Sequence, residues 1–242
     1  MPQREVFHHR GTETQRRVMN NWDGIVSLFI ACLEFVFLVN LLIFAKKTKL
    51  NWIIIAIVFL LLGYQTIEYL ICGIGLSSSF MAYLAFVDIS FLPPLNLLFV
   101  LTLLKKENKF IPVIFLPAIF FAVYYAFIVR EFETVKCTVL YATYNYPLGD
   151  LYGFFYYSTL AASFILIVKN SRSEIGQAYK SQLKYLMFGH LSLLIPVTTA
   201  FILLAFNLSG LRDSIESILC KFAFLYCLSL VYFALSNKQS KV

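Results

Sequence analysis

Seven long apolar blocks dictate what this chain can fold into. They lie at about 22–45, 51–73, 80–104, 110–129, 151–168, 185–206 and 215–236. A helix needs about 20 mostly apolar residues to cross a hydrocarbon core ~30 Å thick. Within that core only a helix or a closed barrel satisfies its own backbone. Composition agrees, with 60% hydrophobic and 14% charged residues, where a soluble domain has roughly 45–50% and about 25%. The sequence therefore predicts an all-α membrane protein, a seven-transmembrane-helix bundle over 22–236. A polar tail at 1–21 and a short tail at 237–242 flank it.

The formal charge of +7 does not point to nucleic acid, because the lysines sit in short clusters at block ends. KKTK at 46–49 and KKENK at 105–109 are examples. The flank of a membrane protein kept in the cytoplasm collects Lys and Arg. One side carries Lys46, Lys47, Lys49, Lys105, Lys106, Lys109, Lys169, Arg172, Lys180, Lys184, Lys238 and Lys241. The opposite loops hold Arg130, Lys136 and Arg212, to which the N-terminal tail adds Arg4, Arg10, Arg16 and Arg17. The bias places the N-terminus outside and the C-terminus in the cytoplasm, in the cell membrane, with the lipid bilayer as first partner. No apolar run precedes the first block, so no signal peptide is expected.

Ionisable groups at membrane depth are costly, at ~2.5–3.5 kcal/mol each on insertion scales, and they face the bundle interior. Glu34, Glu68, Asp88 and Lys221 stand out. At 1.5 Å per residue, Lys221 and Glu68 lie roughly 8–9 Å from the outer ends of their helices, Asp88 near ~12 Å and Glu34 near ~18 Å. One lysine and three acids at similar depth point to a polar pocket near the outer face. Tyr64, Gln65, Glu68 and Cys72 share one stripe of the second helix. Asp88 precedes Pro93-Pro94, which deprive the carbonyls of Ile89 and Ser90 of their usual donors. Lys221 can pair with Glu68 or with Asp88, or snorkel to the interface. A retinal-type lysine is disfavoured, since Lys221 is close to its helix start and Trp22 and Trp52 both stand at helix ends.

Cys72 and Cys137 both fall on the outer side and form a disulfide candidate, open only in an oxidising compartment. The segment 130–150 reads either as a short hairpin over the bundle or as a loop. His190 reads as hydrogen-bonded packing, and His8-His9 as tail composition. The sequon at Asn207-Leu208-Ser209 lies too close to the bilayer to interpret. Most aromatics read as lipid-facing bulk, with Tyr124-Tyr125 and Tyr156-Tyr157 as pocket candidates. No HExxH, GxSxG, P-loop or CxxC pattern occurs, so neither a metal nor a cofactor is expected, and no catalytic residue is assigned.

The stretches LLGYQTIEYLICG, FVDISFLPPLNLLFVLTLLKK and YKSQLKYLMFGHLSLLIP resemble the seven-helix sensor region at the N-terminus of prokaryotic membrane histidine kinases. Gln65-x-x-Glu68 is also similar to a stand-alone seven-pass bacterial family with Q-x-x-E on helix two, though Phe91 stands where that family has tryptophan. The resemblance implies a sensory or ligand-binding module that signals through a separate cytoplasmic or membrane partner, since no output domain is expected after helix seven. The alternatives are an intramembrane enzyme or small transporter using Glu68 or Glu34 for proton transfer, and a structural subunit of a membrane complex.

Overall fold

The computed structural model describes residues 22–106, 111–170, 180–205 and 215–236. The polar tail, the sequon and the C-terminal tail lie outside these residues, as does most of the loop before the sixth block. The described helices are α1 (Ile25–Phe44), α2 (Lys49–Cys72), α3 (Ser79–Ser90), α4 (Leu92–Leu103), α5 (Leu116–Phe127), α6 (Gly149–Asn170), α7 (Lys180–Ala205) and α8 (Ile215–Ser236). Among the described residues, five helical segments are long and apolar enough to cross a membrane. They are Ile25–Phe44, Lys49–Cys72, Ser79–Leu103, Gly149–Asn170 and Ile218–Ser236. The protein is thus a mostly helical, membrane-embedded chain.

Two of the seven expected spans are not among these five. The fourth, Ile111–Phe127, is shorter and begins as a 3₁₀ turn over Ile111–Phe115. Pro112 and Pro117 interrupt it, and proline removes the backbone donor that a continuing helix requires. The sixth, α7, is long enough to cross and carries Pro196 within it.

Local chemistry sets the helix ends. Thr48 and Ser78 cap α2 and α3, their hydroxyls accepting from the backbone N–H of Asn51 and Met81, two donors the helix itself leaves unmet. The third span breaks at Phe91, which ends α3 and opens α4, with Pro93 and Pro94 in the first turn of the new helix. Proline is tolerated there because first-turn N–H groups have no intrahelical acceptor.

Helix α2 is the hub, packed against α1, α3, α4 and α8, while α7 pairs with α8 and α4 with α6. Its buried residues run around most of its circumference, from Asn51 and Ile54 through Leu61 and Tyr64 to Glu68 and Cys72. The polar Asn51, Gln65 and Glu68 of α2 therefore lie inside, while Thr66 is exposed and donates to the Leu62 carbonyl. The outer surface carries Phe29, Phe59, Phe120, Phe154, Phe188 and Ile195, all exposed. Gly189 lets α7 and α8 approach, because a Cβ there would fall on the Ser229 hydroxyl.

The segment after α5 forms an antiparallel hairpin, β1 (Glu133–Cys137) and β2 (Ala142–Asn145), with Cys137 opposite Ala142 and a bulge between Thr134 and Lys136. Thr138 closes its turn, its Oγ1 accepting from the N–H of Tyr141 at 2.9 Å and donating to the same residue's carbonyl at 2.7 Å. Beneath it lies a packed aromatic cluster. Phe132 stacks on Tyr146 and meets Phe86 and Tyr125 edge-on, and Phe86 lies 4.2 Å from Tyr152 between ring centroids. These rings face the interior, whereas Phe29, Phe59, Phe120, Phe127, Phe154 and Phe188 are exposed. The hairpin brings rings from α3, α5 and α6 together, and edge-to-face pairs add about 0.5–1.5 kcal/mol each beyond their burial. The hydroxyl of Tyr125 donates to the carbonyl of Pro147 at 2.7 Å, which meets its polar requirement.

Candidate functional site

Three helices converge on Lys221 near the end of the bundle that the hairpin covers. Ser27 lies in the first turn of α1, Gln65 and Glu68 one turn apart on α2, and Lys221 two turns into α8. Ser27, Gln65 and Glu68 are fully buried, and the Lys221 side chain is 14% exposed. The ammonium donates to Gln65 Oε1 at 2.6 Å, Ser27 Oγ at 2.8 Å and Glu68 Oε1 at 3.0 Å. An ammonium has three N–H donors, so the cluster saturates it.

The remaining bonds are mutually consistent. The Ser27 hydroxyl accepts from Lys221 and donates to Glu68 Oε1 at 3.1 Å. Gln65 turns its carbonyl to the ammonium, which aims its Nε2 at the carbonyl of Cys220, 3.2 Å away. A charged pair at this depth holds because hydrogen bonds replace the water each group has lost.

The other expected site residues lie elsewhere. Asp88 does not reach Lys221. Its carboxylate rests on Gly63 of α2, with Oδ1 2.9 Å from where a Cβ would stand, and Oδ2 has no hydrogen bond among the described residues. Tyr64 is buried but faces α3 and the hairpin, beside Ala82, Phe86, Phe132 and Tyr144. Glu34 lies two turns below Ser27 on the buried face of α1, and neither of its carboxyl oxygens has a hydrogen bond among the described residues. Cys72 and Cys137 are joined in a disulfide with Cα atoms 5.5 Å apart. It ties the hairpin to the end of α2, one turn beyond Glu68. Gly24, at φ 72°, donates its N–H to the Thr138 carbonyl at 3.0 Å and passes so close to Cys72 that a Cβ would crowd it.

Sequence reasoning missed Ser27, although Ser27 and Glu34 share a face at a spacing of two turns. It also missed Asn96, which joins His190 and Tyr226 in a second polar cluster deeper in the bundle. His190 faces the Leu186 carbonyl through Nδ1 at 2.9 Å and Asn96 Oδ1 through Nε2 at 3.1 Å, and the Tyr226 hydroxyl donates to the same Oδ1 at 2.5 Å. Among the described residues no group of three or more His, Cys, Asp or Glu side chains is placed to hold a metal ion. Compared with family models, with curated proteins and with solved structures, the chain finds no match.

Proposed function

We propose that the chain is a seven-span sensory module of the cell membrane, N-terminus outside, whose switch is the Lys221 cluster. The observation that carries the reading is the joining of α1, α2 and α8 by one saturated, buried ion pair under a disulfide-tethered hairpin. Intramembrane charge is expensive, and apolar side chains of similar volume would hold helices together without that cost. A separable latch gives the charges a use. A stimulus that competes for Lys221 or Glu68 frees α8 from α1 and α2, and the lysine-rich end hands the movement to a separate partner. The disulfide supports the orientation, since such bonds persist in oxidising compartments and this one sits at the end opposite the lysine clusters.

The test is a spin-label distance between α1 and α8 in lipid nanodiscs, with labels at the exposed Phe29 and Leu225. Small carboxylates and guanidinium, which compete for the two halves of the pair, are expected to widen the wild-type distribution. The Lys221→Met/Glu68→Leu variant is expected not to respond. A wild-type distance that ignores every competitor would reduce the cluster to a structural clamp.

Glu34 favours a second reading, proton transfer through the bundle, because a carboxyl without donors in a membrane interior contributes nothing to packing. On that reading wild-type proteoliposomes acidify their lumen under an imposed gradient and Glu34→Gln vesicles do not. On the latch reading the two give the same dye trace.

A further inference from the structure

Below the Lys221 cluster a cavity of about 20 Å³ opens between α2, α4, α6, α7 and α8. Its walls are apolar, among them Leu61, Leu160, Leu193, Leu219 and Ala223, and its polar groups come from Asn96 and the tyrosines. Asn96 is 2% exposed, and its Nδ2 has no hydrogen bond among the described residues. A buried amide donor without an acceptor costs about 1–3 kcal/mol. A space above about 10–15 Å³ with polar partners is large enough for one water.

The neighbours define what fits. The Leu186 carbonyl only accepts, so His190 carries a proton on Nδ1. In a neutral ring Nε2 is then an acceptor, and it faces Asn96 Oδ1, which is also an acceptor. Turning the amide over places Nδ2 between His190 and Tyr226 and points Oδ1 into the open position instead. A ring protonated on both nitrogens keeps Asn96 Oδ1 toward Nε2, with Nδ2 open. The open position thus needs an acceptor in one arrangement and a donor in the other. A hydroxyl group serves both.

We propose that this cavity is a binding site for a hydroxyl group held by Asn96, supplied either by water or by the head of a short aliphatic alcohol dissolved in the membrane. Tyr156 also lines a second void of about 20 Å³ beside Ser90, Pro93 and Pro94, the adjoining space for an alkyl tail. The Cys220 carbonyl that holds Gln65 belongs to a residue of the cavity wall, so an occupant presses on α8 one residue from Lys221.

The test uses the full chain in nanodiscs with ¹⁵N-labelled asparagine, the Asn96 side-chain signal being identified by its loss in Asn96→Leu. Magnetisation transfer from water to that amide identifies water as the occupant. A saturable shift with 1-butanol, absent with pentane, identifies an alcohol. Ala223→Leu fills the cavity while leaving Asn96 itself unsubstituted, and is expected to abolish whichever signal is seen. Ala223→Val repeats the test with less added volume if the first variant does not fold. Absence of both signals in the wild type overturns the site, as does a signal that survives the filled cavity. Neither result bears on the spin-label response of the Lys221 latch, so the two proposals fail separately.

Discussion

Lys221→Met is expected to lower stability by about 3–5 kcal/mol, because it removes the ammonium 3.0 Å from a buried carboxylate. Glu68 keeps its hydrogen bond from the Ser27 hydroxyl, and Gln65 Oε1 loses the ammonium as its donor. The effect is read as a fall in melting temperature in mild detergent with a thiol-reactive dye. Cys220 and Cys227 are buried and react with the dye on unfolding, above a constant signal from the exposed Cys32. Lys221→Met/Glu68→Leu is expected to recover most of the loss, since removing both charges also removes the need to solvate either. If the single variant melts like the wild type, the pair is not holding α1, α2 and α8 together. If the double variant melts like the single one, the loss comes from packing around Lys221 instead.

The second large effect belongs to the disulfide. It closes a loop of 65 residues, for which the chain-entropy relation gives about 4 kcal/mol. That figure is an upper bound here, because helices that persist in a bilayer leave less chain entropy to restrict. Cys72→Ser or Cys137→Ser is expected to lower the melting temperature and raise amide exchange in 133–145. Exchange in α6 and at the α7–α8 contact is expected to stay at wild-type levels. The aromatic cluster under the hairpin keeps Phe132 in place, so the strands loosen without leaving. A wild type that migrates identically on gels with and without dithiothreitol, with its thiols titrating as free, would remove the bond from the argument.

Hydropathy located the helices to within a few residues, because crossing a hydrocarbon core demands length and apolarity that few other folds need. It said less about faces. Helices that are apolar nearly all round carry no moment to separate lipid from interior, so nothing marked Phe86 and Phe121 as interior. Their partners arrive from the hairpin and α6, and no local spacing announces that. Charges were legible for the opposite reason. Glu34, Glu68, Asp88 and Lys221 are conspicuous in apolar text, and depth counting put two acids within reach of the lysine. Depth could not say that Gly63 would seat Asp88 against α2, which leaves Lys221 to Glu68. Ser27 and Asn96 were silent because serine and asparagine are tolerated in helices for many reasons, and their roles appear only with three helices in view. The fourth block differs from the rest for a visible cause, the prolines at its start.

The saturation of Lys221 has a consequence for how a stimulus would be registered. A receptor with a spare donor responds in proportion to occupancy, because the first molecule to arrive meets an open valence. Here every valence is taken by an internal rival already at contact distance. On the proposed reading an outside molecule meets only the fraction of chains whose latch has opened, and its apparent affinity falls by that fraction. Such an arrangement ignores traces and answers abundance. Substitutions that loosen the internal rivals, Ser27→Ala the mildest of them, would set the level at which it answers without altering what it answers to.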